Sequence, residues 1–115
     1  MNEVGSKYEN VAAKFLESQG YHILKQNYRC RQGEIDIIAR EGKYLCFIEV
    51  KYRKNLNCGT PLEAVTPAKQ KKISRTALYY LFENGYGEEI PCRFDVVGIT
   101  SDQIELVQNA FYYQR

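Results

Sequence analysis

Hydrophobic residues recur at two spacings along this chain, and the switches between them lay out its elements. Across residues 5–19, Tyr8, Val11, Ala12, Phe15 and Leu16 repeat at helical intervals and form one apolar stripe. Glu9 lies beside that stripe on the side of Ala13 and Leu16, where a solvated first-turn glutamate is the plain expectation. Gly20 stands where a left-handed C-terminal cap belongs. The spacing then shortens. Residues 21–29 read as an irregular strand with Ile23 and Leu24 inward, followed by a turn at Arg31, Gln32 and Gly33. Residues 34–40 and 44–53 read as apolar strands joined by a short polar turn holding Gly42. A long polar connection follows, with Asn55, Asn57, Gly59 and Pro61 as breakers, and such loops are often functional.

Helical spacing returns after Thr66, a good N-cap ahead of Pro67, and runs towards Gly85. Ile73, Ala77, Leu78, Leu81 and Phe82 predict its buried face. Gln70, one turn before Ile73, should point its amide at the sheet, with Lys69, Lys72 and Arg75 pointing elsewhere. Residues 93–100 form a strongly apolar strand, and residues 103–107 suit a last edge strand. A strand, a crossover helix and a further strand wind right-handedly with the strands parallel, so residues 93–100 should run parallel to 44–53. Within that strand, Asp95 either orients a basic neighbour or marks a strand end. Phe111, Tyr112 and Tyr113 of the tail are expected to patch the core.

Charges inside apolar strands change the picture. Asp36, Glu49 and Lys51 interrupt runs that otherwise look buried. Glu49 and Lys51 are two residues apart and share a face. Closing the hairpin with the four residues 41–44 sets Asp36 directly opposite Glu49. A two-residue closure at Glu41 and Gly42 offsets them on one face, and a three-residue turn splits them. Facing carboxylates repel unless something positive lies between them. A divalent cation would remove the repulsion, with the Lys51 ammonium adding compensation. The plainer alternative is a salt bridge from Lys51 on a half-exposed sheet face. The basic run Lys69, Lys71, Lys72 and Arg75 at a positive helix end suits phosphates, although such runs also serve simply as solvated faces.

The 115 residues are 44% hydrophobic, which fits one domain with a real core. Formal net charge is only +2, too small to announce nucleic acid by itself. No apolar run approaches the roughly 20 residues of a membrane span, and the opening residues do not read as a secretory signal. Cys30, Cys46, Cys58 and Cys92 contain no C-x-x-C pair, which argues against zinc and against a disulfide framework, so a reducing, cytoplasmic setting is expected. His22 is the only histidine and has no partner at ligand or triad spacing, which suits a structural or surface role.

The order helix, three-strand meander, helix, strand, with Asp36 followed by Glu49-x-Lys51, resembles the PD-(D/E)XK nuclease superfamily. More closely, the chain is similar to the YraN-like family of bacterial proteins. The matching stretches are Gly5-x-x-Tyr8-Glu9 with Ala12 and Phe15-Leu16, Gly20-Tyr21, Asn27-Tyr28-Arg29, GEIDIIAREG, FIEVKYR, the Lys69 helix, RFDVVGI and NAF. This resemblance, which extends to archaeal Holliday-junction resolvases, implies a restriction-endonuclease-like α-β-β-β-α-β core with a mixed central sheet flanked by helices. It implies Mg²⁺, or Mn²⁺ in its place, held by Asp36, Glu49 and the backbone carbonyl of Val50, with Lys51 acting on the attacking water or the developing phosphate charge. Glu9 and Gln70 take supporting catalytic positions, and Arg53, Lys69, Lys72 and Arg75 grip flanking phosphates. The implied activity is endonucleolytic cleavage of structured nucleic acid, DNA rather than RNA, by two copies of the chain. Tyr52 departs from the pattern, since many relatives carry a small hydroxyl residue there. A non-catalytic nucleic-acid-binding module and a small interaction protein with structural carboxylates are the competing readings.

Overall fold

A computed structural model describes residues 3–54 and 60–115. Asn55, Asn57, Cys58 and Gly59 of the long connection lie outside the described residues. The elements run α1 (Glu3–Ser18), β1 (His22–Cys30), β2 (Gly33–Glu41), β3 (Tyr44–Tyr52), α2 (Pro67–Glu83), β4 (Cys92–Ile99) and β5 (Ile104–Phe111). The strands form one sheet in the order β1-β2-β3-β4-β5, antiparallel except for the parallel β3–β4 pair that α2 bridges. This is the expected α/β arrangement, with a mixed sheet and a restriction-endonuclease-like core. β5 runs further than residues 103–107, reaching Phe111, whose buried ring stacks on Phe94 with centroids 4.9 Å apart.

Each face of the sheet carries its own core. Ala12, Ala13 and Leu16 of α1 pack on Ile37, Ala39, Cys46, Ile48 and Val97. Ile73, Ala77 and Tyr80 of α2 pack on Ile35, Ile38, Leu45, Phe47 and Phe94 on the opposite side. A short 3₁₀ turn at Leu62–Ala64 leads into α2, where Thr66 caps the helix by accepting the Lys69 N–H at 3.2 Å. α1 ends just before Gly20, whose φ of +94° is the left-handed geometry expected there.

Several side chains lie elsewhere than their spacing predicts. Leu78 and Phe82 are exposed, at 54% and 82%, while Ser74, Thr76 and Tyr80 take the buried positions. The hydroxyls of Ser74 and Thr76 donate to the carbonyls of Gln70 and Lys72, four residues back, so they enter the core with their polarity already satisfied. Leu24 is exposed because β1 shifts register between Ile23 and Lys25. Val11 also faces outward, and Tyr112 and Tyr113 are exposed, leaving Phe111 as the core residue of the tail.

Candidate metal and phosphate site

The β2–β3 rungs run from Glu41↔Tyr44 to Ile37↔Ile48, so the chain turns through Gly42 and Lys43, the closure that brings Asp36 level with Glu49. The ladder stops at that point. Ile35 belongs to the α2-side core and Ile37 to the α1-side core, so the strict two-residue alternation breaks at Asp36. On the other flank, between the rungs Gln26↔Ile37 and Tyr28↔Ile35, Asn27 has a φ of +54°. This twist frees the Asp36 carboxylate to act within the sheet, where its Oδ2 accepts the Val50 N–H at 2.8 Å.

The second carboxyl meets the first. Glu49 is 8% exposed, and its pKa is pushed up to about 8 by burial, by the side-chain contact with Asp36 and by the Asp36 charge. Lys69 Nζ approaches Glu49 Oε1 at 3.5 Å, so this lysine points into the site rather than away from it. Its position explains the reach: Lys69 precedes Ile73 by four residues and Thr76 by seven, on the same buried stripe. Lys69 also meets Lys51. Burial and the Lys69 contact hold Lys51 below the ordinary ammonium range, against the pull of Glu49 and Asp36. For Lys69, burial works to lower the pKa, but Lys51 and the two carboxylates outweigh it and the net shift is upward. The two shifts run in opposite directions across the pair, down for Lys51 and up for Lys69.

Glu9 is not a solvated helix residue. It is 8% exposed, and its Oε1 has no hydrogen-bond partner. Burial, then the charges of Asp36 and Glu34, raise its pKa to about 7, against Arg29 and the Asn27 backbone. Asp36 is thus approached by Glu9 from the α1 side and by Glu49 from the α2 side. Gln70 takes a different part: its Nε2 donates to the Val65 carbonyl at 3.0 Å and fixes the approach to α2.

A cleft of about 600 Å³ opens beside Glu49, walled by Arg29, Gly33, Glu34, Lys69 and Lys72. Gly33 keeps it open. A Cβ there would come within 2.9 Å of Thr76 Oγ1 and 3.3 Å of Lys72 Cε, and its φ of +149° already suits glycine. Arg29, Cys30 and Gly33 show no signal by spacing, because the wall forms only when α2 crosses the β1–β2 turn. Arg53 lies past Lys51, half-buried, with its Nε unpartnered, whereas Arg75 is exposed on the outer side of α2.

The donor set suits a hard divalent cation. Asp36, Glu49 and the Val50 carbonyl offer only oxygen, and a dication is the simplest way to let two touching carboxyls ionise together. Among the described residues no group of three or more His, Cys, Asp or Glu is gathered for a metal, so such an ion would keep several waters, as Mg²⁺ prefers. Asp95 has the plainer task, orienting a basic neighbour: Arg93 Nε donates to its Oδ1 at 3.0 Å and Tyr21 Oη to its Oδ2 at 2.7 Å.

The fold defines an α/β protein with a restriction-endonuclease-like core and a charged cleft at the divergence of its central hairpin. Sequence comparison gives the family. The pattern describing the Uncharacterised protein family UPF0102 matches residues 8–99, and the chain belongs to that family. It is 55% identical to a UPF0102 protein of Lachnoclostridium phytofermentans over 93% of this chain and 91% of the relative. A UPF0102 protein of Chlorobium chlorochromatii is 45% identical over 98% of this chain and 94% of its own length. One from Symbiobacterium thermophilum is 47% identical over 95% and 96%. No helix among the described residues is long and apolar enough to cross a membrane.

Proposed function

We propose that this protein is a Mg²⁺-dependent endonuclease that hydrolyses phosphodiester bonds in structured DNA. The observation that carries the reading is the meeting of Asp36 and Glu49, with Lys51 and Lys69 on the same side of the sheet. Buried like charges are costly, and pKa values perturbed by burial together with specific charged neighbours gather at functional sites. The likeness to PD-(D/E)XK nucleases supports the same reading.

In this reading Asp36, Glu49 and the Val50 carbonyl hold the cation. When bound, the ion supplies a lowered pKa for its water and screens the charge that builds on phosphorus. Lys51, in its neutral amine form, accepts the proton of the attacking water, and burial and the neighbouring Lys69 favour that form. Lys69 stays charged and faces the phosphate oxygens, and its approach to Glu49 keeps it in place. Arg29, Arg53 and Lys72 grip phosphates on either side of the cut, whereas Arg75 lies apart from them, beside Leu78 and Phe82 on the outer side of α2. Glu9, with its pKa near 7, is poised to exchange a proton close to Asp36.

The test is cleavage of labelled junction, flap, single-stranded and duplex substrates, DNA and RNA, by the purified chain with Mg²⁺ or Mn²⁺. Asp36→Ala and Lys51→Ala should abolish cutting while the protein stays folded. If the wild-type chain cuts nothing with either ion, yet binds DNA with a salt-dependent affinity that survives Asp36→Ala, the fold serves binding alone and the nuclease reading fails.

A further inference from the structure

The outward face of α2 is divided along its length. Its N-terminal half carries Lys71, Lys72 and Arg75, with no acidic residue in the first turn. Its C-terminal half exposes Leu78, Tyr79 and Phe82, at 54%, 39% and 82%, and leads to Glu88 and Glu89. Beside Leu78 lies a hollow of about 230 Å³, walled by Leu81, Glu88, Tyr112 and Tyr113. It is smaller than the roughly 300–1,000 Å³ of ordinary ligand pockets, and its lining suits a single aromatic ring. A ring of that kind stands four residues away on the same helix face, without cover: Phe82. Exposed apolar surface of this extent, rimmed by charge, marks an interaction site.

We infer that this face binds a second copy of the same chain through an antiparallel pairing of the two α2 helices about a twofold axis. A twofold contact brings the same patch of both subunits together, so the patch must complement itself. This one does. Setting the twofold level with Tyr80 aligns Phe82 of one copy with Leu78 of the other and its hollow, and the exchange is reciprocal. The same register sets Lys71 and Arg75 against the partner's acidic end, where Glu88 and Glu89 lie. A parallel pairing would set basic against basic and acid against acid. Nucleic acid is the poorer occupant, because Glu88 and Glu89 lie at the apolar half. Lys69 and Glu49 lie at the other end of the helix, so the pairing leaves both cation sites uncovered. The inference does not depend on the nuclease reading, since assembly is measured without metal or nucleic acid.

Sedimentation of the full chain across a concentration series into the high micromolar range tests it. The wild-type chain should pass from monomer to dimer. Phe82→Glu and Leu78→Glu, both at exposed positions that leave the core intact, should hold it monomeric with unchanged circular dichroism. Arg75→Glu should weaken the dimer about tenfold, the scale of one interfacial charge pair, and Arg75→Glu combined with Glu88→Lys should recover most of that loss. A wild-type chain that stays monomeric throughout overturns the inference, as does a dimer that Phe82→Glu leaves intact. A monomer whose DNA binding falls on Phe82→Glu also overturns it and assigns the face to nucleic acid.

Discussion

Two aspartates in this sheet are placed almost alike and end up with opposite characters. Asp36 on β2 and Asp95 on β4 each lie beside a neighbouring-strand asparagine with positive φ, Asn27 at +54° and Asn109 at +52°. Each carboxylate accepts one backbone N–H at 2.8 Å, from Val50 and from Asn109. Around Asp95 every remaining polar group finds its opposite. Tyr21 and Arg93 donate to it, Arg93 goes on to Glu41 at 3.0 Å, and Gln108 donates to the Tyr21 oxygen. Around Asp36 the matching is incomplete: Lys69 reaches Glu49, but carboxyl also meets carboxyl and lysine meets lysine, and Glu9 is left short of a partner. A closed network holds a fold together, whereas an unresolved one waits for something from outside.

Breaking the closed network should have the largest effect on folding. Asp95→Ala takes the main partner from the Arg93 guanidinium, leaving it Glu41 alone among the carboxylates, and strands the Asn109 N–H, so it should cost about 3–5 kcal/mol in chemical denaturation. Asp36→Ala, by contrast, takes the acceptor from the Val50 N–H and should cost the metal-free protein only about 1–3 kcal/mol, less than Asp95→Ala, while lowering cleavage by roughly 10²–10³ or more. Mg²⁺ at about a hundred times its dissociation constant should stabilise the wild type by about 2.7 kcal/mol and Asp36→Ala hardly at all, as read from thermal melts.

The pH dependence sharpens the contrast further. A carboxyl whose pKa rises on folding holds its proton more tightly in the folded chain. Its stability contribution is complete below the ordinary glutamate range and is lost as pH climbs through the folded value. For Glu49 that window ends near pH 8, and for Glu9 near pH 7. Without metal, stability should therefore fall with rising pH between about 4.5 and 8, by at most about 1.4 kcal/mol per pH unit for each group. Glu49→Gln should flatten the upper part of that slope and Glu9→Gln, the smallest effect, its lower part. Mg²⁺ binding below pH 8 should release a proton, measurable as buffer-dependent heat.

The central hairpin was legible because alternating side chains and a polar turn leave few registers, and one of them puts Asp36 opposite Glu49. The parallel β3–β4 pair followed from the crossover rule alone. The outer surface of α2 is where spacing misleads, because Leu78 and Phe82 keep the helical period of a core stripe, while Ser74 and Thr76 look polar until their hydroxyls turn back on the helix. Glu9 and Lys69 were harder for another reason. Whether a long charged side chain lies in water or reaches inward depends on what the neighbouring element offers, and the chain's own period does not encode that. The break at Asp36 depends on Asn27, a residue of a different strand, and no local pattern announces it.

The tight bend at Gly42 and Lys43 lies six residues from Asp36, roughly 20 Å along the strand. Nothing chemical happens there, yet it works as the ruler for everything at the far end. An added residue that leaves the bend two residues long would slide β3 one notch past β2 and turn Glu49 to the opposite side, dismantling the cation site with every one of its residues still in the chain. A random-insertion library should therefore show this surface bend, ordinarily the most forgiving part of a protein, to be as intolerant as the carboxylates themselves.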